Sequence, residues 1–413
     1  MSSDRLKVLF VDDEIRLLQG LRRKLRFMRE DWDMDFVNSG REALARIDRD
    51  NIDVVVADMR MPEMSGAALF EAIQKFYPEI VRIMLSGYAE NESILKAVGA
   101  THQFLAKPCD SQGIVEAINR SIELRVNLAS PNLLKFVTGI KNIPSSPSVY
   151  HRLVKEISKP TATLASISAI IESDPGMSAT IMKLTNSAYF SLPTRMTSIR
   201  KAVQFLGLET IASLVGVDGF LTLANVRLEI ASQIQRISEE SMMIATLAKK
   251  IALSENLDLP EVEQAFCGGL LSQLGRVLFL LDTNDEVKEY FQRLQVDSTA
   301  ISEAEKMLFG TTHFEVGAYL LGLWGFADLI VESVLHQRDP SKLREKTFNA
   351  ASAVYVAKCL LDYLSEAKNR QTFKQDGGML NEPYIRDLGK LDRIPIWIDI
   401  CSASKSFDRE VLP

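Results

Sequence analysis

The sequence has few of the residues that build metal centres and disulfide frameworks. Its 413 residues include only four histidines and four cysteines, which are Cys109, Cys267, Cys359 and Cys401. The cysteines are far apart and show no CxxC spacing, so neither a zinc site nor a disulfide scaffold is predicted. Reduced thiols, as in the cytosol, are expected.

Long apolar runs and an excess of basic residues are also missing. No segment approaches the ~18 uninterrupted apolar residues of a membrane-spanning helix, and the first residues show no signal-peptide pattern. The formal net charge of −6 argues against nonspecific binding to nucleic acid. These absences predict a soluble, cytoplasmic protein without a membrane or nucleic-acid partner.

The composition is that of a globular chain with more than one domain. Hydrophobic residues make up 46% and charged residues 25% of the sequence, whose length allows about two or three domains. Residues 130–149 contain four serines and three prolines, which indicates a boundary. We predict a first domain over 1–128, a linker with the start of the output domain over 129–148, and an all-helical domain over 149–413.

Five apolar, β-branched runs alternate with amphipathic stretches in the first 128 residues. The runs cover residues 7–13, 33–39, 53–59, 81–88 and 103–108. This alternation predicts an α/β fold with a five-stranded parallel, doubly wound, flavodoxin-like sheet. In such sheets the functional groups lie at the carboxyl ends of the strands.

Acidic, hydroxyl and lysine residues stand at those strand ends. Asp12 and Asp13 follow the first run, Asp58 and Ser86 end the third and fourth, and Lys107 ends the fifth. Carboxylates gathered at one edge repel each other unless a cation is present, and oxygen donors suit Mg²⁺ better than zinc. The combination predicts a magnesium site at which an aspartate accepts a phosphoryl group.

Four short motifs give the first domain a specific resemblance. They are VDDE at 11–14, DMRMPEMSG at 58–66, LSGY at 85–88 and FLAKP at 104–108. Together they resemble the receiver domain of bacterial response regulators over essentially all of 1–128. The resemblance implies that Asp58 is the phosphoacceptor. It also implies that Mg²⁺ is bound by Asp13, the Asp58 carboxylate and the Arg60 carbonyl, with Asp12 acting through a bound water.

The same resemblance assigns residues that respond to the phosphoryl group. Ser86 and Lys107 are expected to bind its oxygens, and Phe104 is expected to be the switch aromatic that turns inward when Ser86 moves. An ordinary packed phenylalanine is the alternative for Phe104. Arg60 and Tyr88 are expected to shield phospho-Asp58 from water, with two solvent-facing side chains as the alternative.

The second region resembles another family. Residues 144–208 contain DPGMSATIMKLTNSAYF, in which Asp174-Pro175 is predicted to begin a helix, and Gly207 is predicted to end another. The pattern resembles the opening of the HDOD domain, an all-helical output module related to HD-family metal phosphohydrolases. The similarity extends to about residue 360.

By that resemblance, the metal-ligand positions of catalytic HD relatives are all replaced. A histidine, an adjacent His-Asp pair and a late aspartate correspond here to Glu240, Ser272, Gln273 and Lys358. The segment 268–282 around the Ser-Gln pair is predicted to form one core helix. We expect no metal in this domain. Glu240 and Lys358 could pair across facing helices at a net energy near zero, with two separately solvated charges as the alternative.

The remaining histidines nearby do not restore a metal site. Thr312, His313 and Glu315 fit a capping box, which favours a structural role for His313 at a helix start. His336 is followed by Gln337, although the family tends to carry a histidine pair there.

The sequence therefore favours a response regulator in which phosphorylation of Asp58 controls a non-enzymatic helical output domain acting by protein–protein interaction. The expected partners are a sensor histidine kinase or phosphotransfer protein, an output protein, and a second copy in a homodimer. The alternative is a phospho-regulated, metal-dependent HD-type phosphohydrolase acting on a cyclic dinucleotide or nucleotide. A DNA-binding transcription factor has little support because no basic recognition helix is found.

Overall fold

The computed structural model divides the chain into two compact units. It describes residues 5–86, 99–128, 131–140, 143–186, 195–216, 228–281, 290, 301–367 and 380–407. The first unit comprises Met1–Asn142, Lys183–Arg195 and Tyr319–Phe326, and the second comprises Ile143–Met182, Met196–Ala318 and Ala327–Pro413.

The first unit contains the predicted parallel sheet. Its strands are β1 Leu6–Val11, β2 Trp32–Val37, β3 Val54–Asp58, β4 Val81–Ser86 and β5 Gln103–Ala106. They pair in the order β2-β1-β3-β4-β5, all parallel. The helices described for this unit are α1 Ile15–Lys24, α2 Gly40–Ile47, α3 Gly66–Phe76, α4 Ser111–Glu123 and α5 Pro131–Gly139. The predicted α/β fold is confirmed.

The neighbouring inner strands β3 and β4 explain where the functional residues lie. Every residue of both strands is buried, as expected when helices cover both faces of a parallel sheet. The strands nevertheless end in polar residues, Asp58 and Ser86. Ala57 is in register with Val11 of β1, so Asp12 and Asp58 emerge at the same edge of the sheet.

Helix α5 lies within the residues predicted as a linker and packs against the first unit. The buried Arg82 guanidinium donates to the carbonyls of Thr138 (2.9 Å), Ala100 (2.6 Å) and Ile80 (2.8 Å). His102 Nε2 lies 2.8 Å from the same Thr138 carbonyl. Burial lowers the pKa of Arg82 to about 9. The end of α5 is thereby held against β4 and the residue that precedes β5.

Helices α6 to α18 begin in the second unit. They are α6 Pro147–Ile157, α7 Leu164–Glu172, α8 Pro175–Thr185, α9 Ile199–Gly216, α10 Leu228–Ser254, α11 Leu259–Leu271, α12 Leu274–Leu281, α13 Ile301–Phe309, α14 His313–Leu323, α15 Asp328–Leu335, α16 Ala350–Ala367, α17 Glu382–Asp387 and α18 Ile394–Phe407. The all-helical prediction is confirmed.

Local sequence explains several helix boundaries. Asp174 caps α8 by accepting from the Met177 backbone N–H at 2.8 Å, which confirms the helix predicted to begin at Asp174-Pro175. Gly207 has φ of 77° and is non-helical, so one helical segment of α9 ends there and a second segment follows it. The predicted helix end at Gly207 is confirmed.

The predicted single helix over 268–282 is wrong. Helix α11 ends at Leu271 and α12 begins at Leu274, with a turn at Ser272 and Gln273. The Ser272 hydroxyl donates to the Gly269 carbonyl at 2.8 Å and so competes with the helical backbone pattern. Leu259–Leu281 has the length and hydropathy of a membrane span, but 83% of its most apolar window is buried inside the protein, as in a core helix.

The core of the second unit forms around α10, α11 and α16. The α10 residues Ile244, Leu247 and Ile251 are buried against apolar residues of α16 such as Val354 and Val356.

Glu255, just past the end of α10, anchors the C-terminal helix α18. Its side chain is 1% exposed and accepts hydrogen bonds from Arg393 Nε (2.7 Å) and Trp397 Nε1 (2.9 Å). Lys390 Nζ lies 2.8 Å from its other oxygen. Burial alone would raise the pKa of Glu255, but these three donors bring it below its ordinary value. The carboxylate is therefore charged in the folded protein.

We expect Glu255→Ala to lower the free energy of unfolding of the helical unit by about 3 kcal/mol, because two cations lose a buried partner. The exposed Glu382, 3.8 Å from Arg386, provides the control, and Glu382→Ala should cost less than about 1 kcal/mol. Since the pKa of Glu255 is lower in the folded state, its contribution should be complete at neutral pH and lost as pH falls below the ordinary glutamate value. Urea unfolding followed by tryptophan fluorescence measures both effects. Equal losses in the two variants would contradict this role.

Candidate functional site

The sheet edge of the first unit brings together three of the residues predicted at strand ends. Lys107 Nζ lies 2.8 Å from Asp12 Oδ2 and also contacts Asp58 Oδ1. The other Asp58 oxygen accepts from the Arg60 backbone N–H at 2.9 Å, and Asp12 Oδ1 accepts from the Glu14 backbone N–H at 2.9 Å. One lysine thus links the ends of β1, β3 and β5.

The other predicted residues of this edge occupy different environments. Ser86 is 2% exposed and Phe104 is 9% exposed, whereas Asp13 and Arg60 lie on the surface. The burial of Phe104 fits both an ordinary packed ring and an inward-turned switch. Tyr88 lies outside the residues that the structure describes.

Burial and hydrogen bonding act in opposite directions on the pKa values of Asp58 and Lys107. Burial raises the pKa of Asp58, while the hydrogen bond from Lys107 opposes that effect. Burial would lower the pKa of Lys107, but hydrogen bonds to Asp12 and Asp58 raise it overall. Nowhere in the described ranges do three or more His, Cys, Asp or Glu side chains come close enough together to hold a metal ion. The ammonium group of Lys107 contacts both carboxylates and offsets part of their negative charge.

Gly66 explains part of the motif around Asp58. A Cβ atom at this position would collide with the Asp58 backbone carbonyl, and the Gly66 N–H donates to the Met59 carbonyl at 2.9 Å. Ser65 caps α3 by accepting from the Ala68 N–H. The backbone at Gly66 therefore packs directly against the end of β3. This contact holds the backbone of Asp58, the predicted phosphoacceptor, in place.

In the second unit, Glu240 lies between two cations. Its Oε1 is 2.6 Å from Lys358 Nζ and its Oε2 is 2.7 Å from Arg276 Nη1. Lys358 Nζ is also 3.1 Å from Asp362 Oδ1. Burial would raise the pKa of Glu240, but Lys358 and Arg276 hold it well below the ordinary range. The charged pair expected between Glu240 and Lys358 is present, and Arg276 is a further partner that the sequence analysis missed.

Ser272 and Gln273 belong to a hydrogen-bonded network next to this ion bridge. Gln273 Nε2 donates to Gln337 Oε1 at 2.8 Å, and Gln337 Nε2 donates to the Ser272 carbonyl at 2.8 Å. Gln273 Oε1 accepts from Arg276 Nη1 at 3.3 Å. All four predicted positions, Glu240, Ser272, Gln273 and Lys358, are thus linked through side-chain contacts. The Gln273 amide is thus paired with Gln337 and Arg276, and the Gln337 amide donates to the carbonyls of Ser272 and Val334.

His313 has a structural position and an unexpected partner. The Thr312 N–H donates to Glu315 Oε2 at 2.8 Å and the Glu315 N–H donates back to Thr312 Oγ1 at 3.4 Å, so the predicted capping box is confirmed. His313 Nδ1 also lies 2.8 Å from Glu305 Oε2, a buried carboxylate that no sequence pattern connected with it. His336 ends α15 separately and is partly buried.

Comparison with known proteins identifies both regions. The model of the response regulator receiver domain matches residues 8–119, and the model of the HDOD domain matches residues 143–340. The chain therefore contains a receiver domain followed by an HDOD domain. A receiver domain joined to an HDOD domain indicates a two-component response regulator.

Individual relatives match over the receiver region. The hydrogenase transcriptional regulatory protein HoxA of Cupriavidus necator is 34% identical over 125 residues, which cover 30% of this chain and 25% of that protein. The transcriptional regulatory protein GlrR of Escherichia coli is 38% identical over 127 residues, covering 30% and 28%. The chain thus spans little more than a quarter of the length of these relatives.

Two solved structures show different coverage. The signal receiver domain of an HD domain-containing protein from Pseudomonas fluorescens is 29% identical and covers 29% of this chain and 95% of its own, with a TM-score of 0.28. A virulence factor from Campylobacter jejuni is 22% identical and covers 65% of this chain and 99% of its own, with a TM-score of 0.43.

We expect a double-mutant cycle of Glu240→Gln and Lys358→Met to show a coupling of about 2 kcal/mol in the free energy of unfolding, because each charge neutralises the other in a buried place. The matched control is the more exposed pair of Glu263 and Lys249, 3.1 Å apart, whose coupling should stay below about 1 kcal/mol. Urea unfolding of the four single and two double variants measures both couplings. Additive effects at Glu240 and Lys358 would show two separately solvated charges.

Proposed function

We propose that this response regulator is phosphorylated at Asp58 and that phosphorylation controls a non-enzymatic HDOD output domain acting by protein–protein interaction. The observation that carries the proposal is the lysine bridge of Lys107 between Asp12 and Asp58 at the carboxyl ends of the strands. A cation that already contacts the acceptor carboxylate is placed to stabilise charge on an incoming phosphoryl group.

The chemistry proposed for Asp58 is in-line phosphoryl transfer. A carboxylate oxygen of Asp58 forms the new P–O bond while the P–N bond of a phosphohistidine on a sensor kinase or phosphotransfer protein breaks. The backbone N–H of Arg60 holds one Asp58 oxygen in place, which leaves the oxygen that contacts Lys107 to attack. Lys107 and Ser86 then bind the phosphoryl oxygens, and Phe104 responds to the movement of Ser86.

The acidic residues at this edge fit a magnesium ion. Asp12 and Asp58 come within reach of one ammonium group, and Asp13 adjoins them on the surface, so the donors are the oxygen ligands that Mg²⁺ prefers. Asp13, the Asp58 carboxylate and the Arg60 carbonyl would hold the ion, with Asp12 acting through water. Bound Mg²⁺ would supply charge neutralisation on the phosphoryl oxygens.

The non-enzymatic output is supported by the ion bridge of Glu240. A metal at this place would have to displace Lys358 and Arg276, which already neutralise the carboxylate at 2.6 and 2.7 Å. Ser272 and Gln273 supply no strong ligand, and their polar groups are committed to Gln337 and to backbone carbonyls. The proposed output is therefore binding to a partner protein in the cytoplasm, by a monomer or homodimer, rather than phosphohydrolysis.

We expect a small phosphodonor with Mg²⁺ to add one phosphoryl group per chain, and Asp58→Ala to abolish the addition. Asp50→Ala, which removes a surface carboxylate that pairs with Arg46 at 3.7 Å, provides the control and should be labelled like the wild type. Lys107→Ala should still accept some phosphate but lose the conformational response, because this lysine binds the phosphoryl group without attacking it. Intact-mass measurement gives the stoichiometry. Undiminished labelling of Asp58→Ala would refute the assignment.

A further inference from the structure

Two deeply placed cations in the helical unit share one carboxylate that is nearer to solvent. The side chains of Lys358 and Arg276 are 6% and 10% exposed, whereas the Glu240 side chain that bridges them is 27% exposed. Glu240 thus covers the two cations from the more accessible side. If its flexible side chain turned outward, its carboxylate would gain water, and two positive groups would face the space that it leaves.

Among the residues that the structure describes, two buried nitrogen atoms in this neighbourhood have no hydrogen-bond partner. They are Arg276 Nε and His313 Nε2. Burial lowers the pKa of His313 despite the adjacent Glu305 carboxylate, and the charges of Arg276 and Lys358 act in the same direction as burial. The neutral ring donates through Nδ1 to Glu305, so Nε2 presents a lone pair. Within the described part of the chain, the Nε–H of Arg276 therefore has no acceptor and Nε2 of His313 has no donor, although Arg276 Nη1 pairs with Glu240 and Gln273.

The two cations and the two unpaired nitrogen atoms limit which chemical groups could bind at this place. A metal ion would be repelled by the two cations, and a simple carboxylate offers no hydrogen to His313. A singly protonated phosphate group accepts from Lys358 and Arg276 and can donate its remaining hydrogen to the imidazole. Two phosphoryl oxygens would take the places that the two Glu240 oxygens occupy at 2.6 and 2.7 Å.

We propose that the helical unit binds a phosphate group, as the free ion or as a monoester, between Lys358 and Arg276, with Glu240 as its internal competitor. Glu240 and the phosphate group would compete for the same two cations. Phosphate binding would then act on the output domain independently of the phosphorylation of Asp58. This inference rests on contacts within the helical unit and goes beyond the proposed function.

Titration calorimetry on the full chain with EDTA present tests the site, using inorganic phosphate and glycerol phosphate as separate probes. Glu240→Gln removes the competing charge and should bind inorganic phosphate about tenfold more tightly than the wild type. Glu263→Gln, which removes the carboxylate 3.1 Å from Lys249, is the matched control and should keep the wild-type affinity. Lys358→Met and Arg276→Met should each weaken binding about tenfold or more. Binding of glycerol phosphate as well would identify a monoester site, and binding of inorganic phosphate alone would identify a free-ion site.

Sulfate separates the proposed site from a general attraction of anions. It carries no hydrogen near neutral pH and cannot donate to His313, so phosphate should be preferred by about tenfold or more. Equal affinity of Glu240→Gln, Glu263→Gln and the wild type would overturn the proposal, as would equal affinity for sulfate and phosphate. If Glu240→Gln does not fold by circular dichroism, the wild type and Lys358→Met decide, and unchanged phosphate affinity between them overturns the proposal.

The EDTA condition keeps this test separate from the proposed function. Phosphate binding that survives EDTA and depends on Lys358 supports the site. Binding that EDTA abolishes would overturn it, because such binding would depend on a metal ion in the receiver or in the helical unit rather than on the two cations. Failure of phosphate to bind at all overturns only the present inference and leaves phosphorylation of Asp58 untouched.

Discussion

The structure of the output domain depends on one partly exposed carboxylate and its two deeply buried counter-charges. Glu240 on α10 meets Lys358 on α16 and Arg276 on α12, so one ion bridge ties three core helices together. A carboxylate in this place must be neutralised, either by a metal or by cationic side chains. The chain uses side chains. Beside this bridge Gln273 donates a hydrogen bond to Gln337, and Gln337 donates to the Ser272 carbonyl.

At the sheet edge of the receiver domain a lysine also pairs with carboxylates, but this lysine is more exposed to solvent than Lys358. Lys107 neutralises Asp12 and Asp58, but its side chain is 27% exposed, compared with 6% for Lys358. An exposed lysine at the edge of a sheet can exchange its carboxylate partners for an incoming phosphoryl group. A lysine enclosed by helices has much less freedom. The contrast supports a division in which the receiver carries the covalent chemistry and the helical domain responds by binding.

Features that depend on the local sequence pattern could be predicted from the sequence. Contacts between residues far apart in the sequence could not. Strand-end residues such as Asp58 followed from parallel-sheet geometry, and the capping box at His313 followed from spacing. Periodicity placed Glu240 on a buried helix face, but it could not identify Arg276 or the link from His313 to Glu305, because those contacts join different helices. The break between α11 and α12 was missed because apolar spacing continues across Ser272 and hides its competition for the backbone.

Metal content, combined with hydrolysis of a cyclic dinucleotide, tests most directly the central claim that the output domain is not a metal enzyme. Elemental analysis of purified protein, with Mg²⁺ supplied only for the receiver, should find no stoichiometric iron, manganese or zinc. Neither the phosphorylated nor the unphosphorylated form should then hydrolyse the cyclic dinucleotide. About two transition-metal ions per chain together with hydrolysis would contradict the account, because Glu240, Lys358 and Arg276 would then be metal-site residues rather than a closed ion bridge.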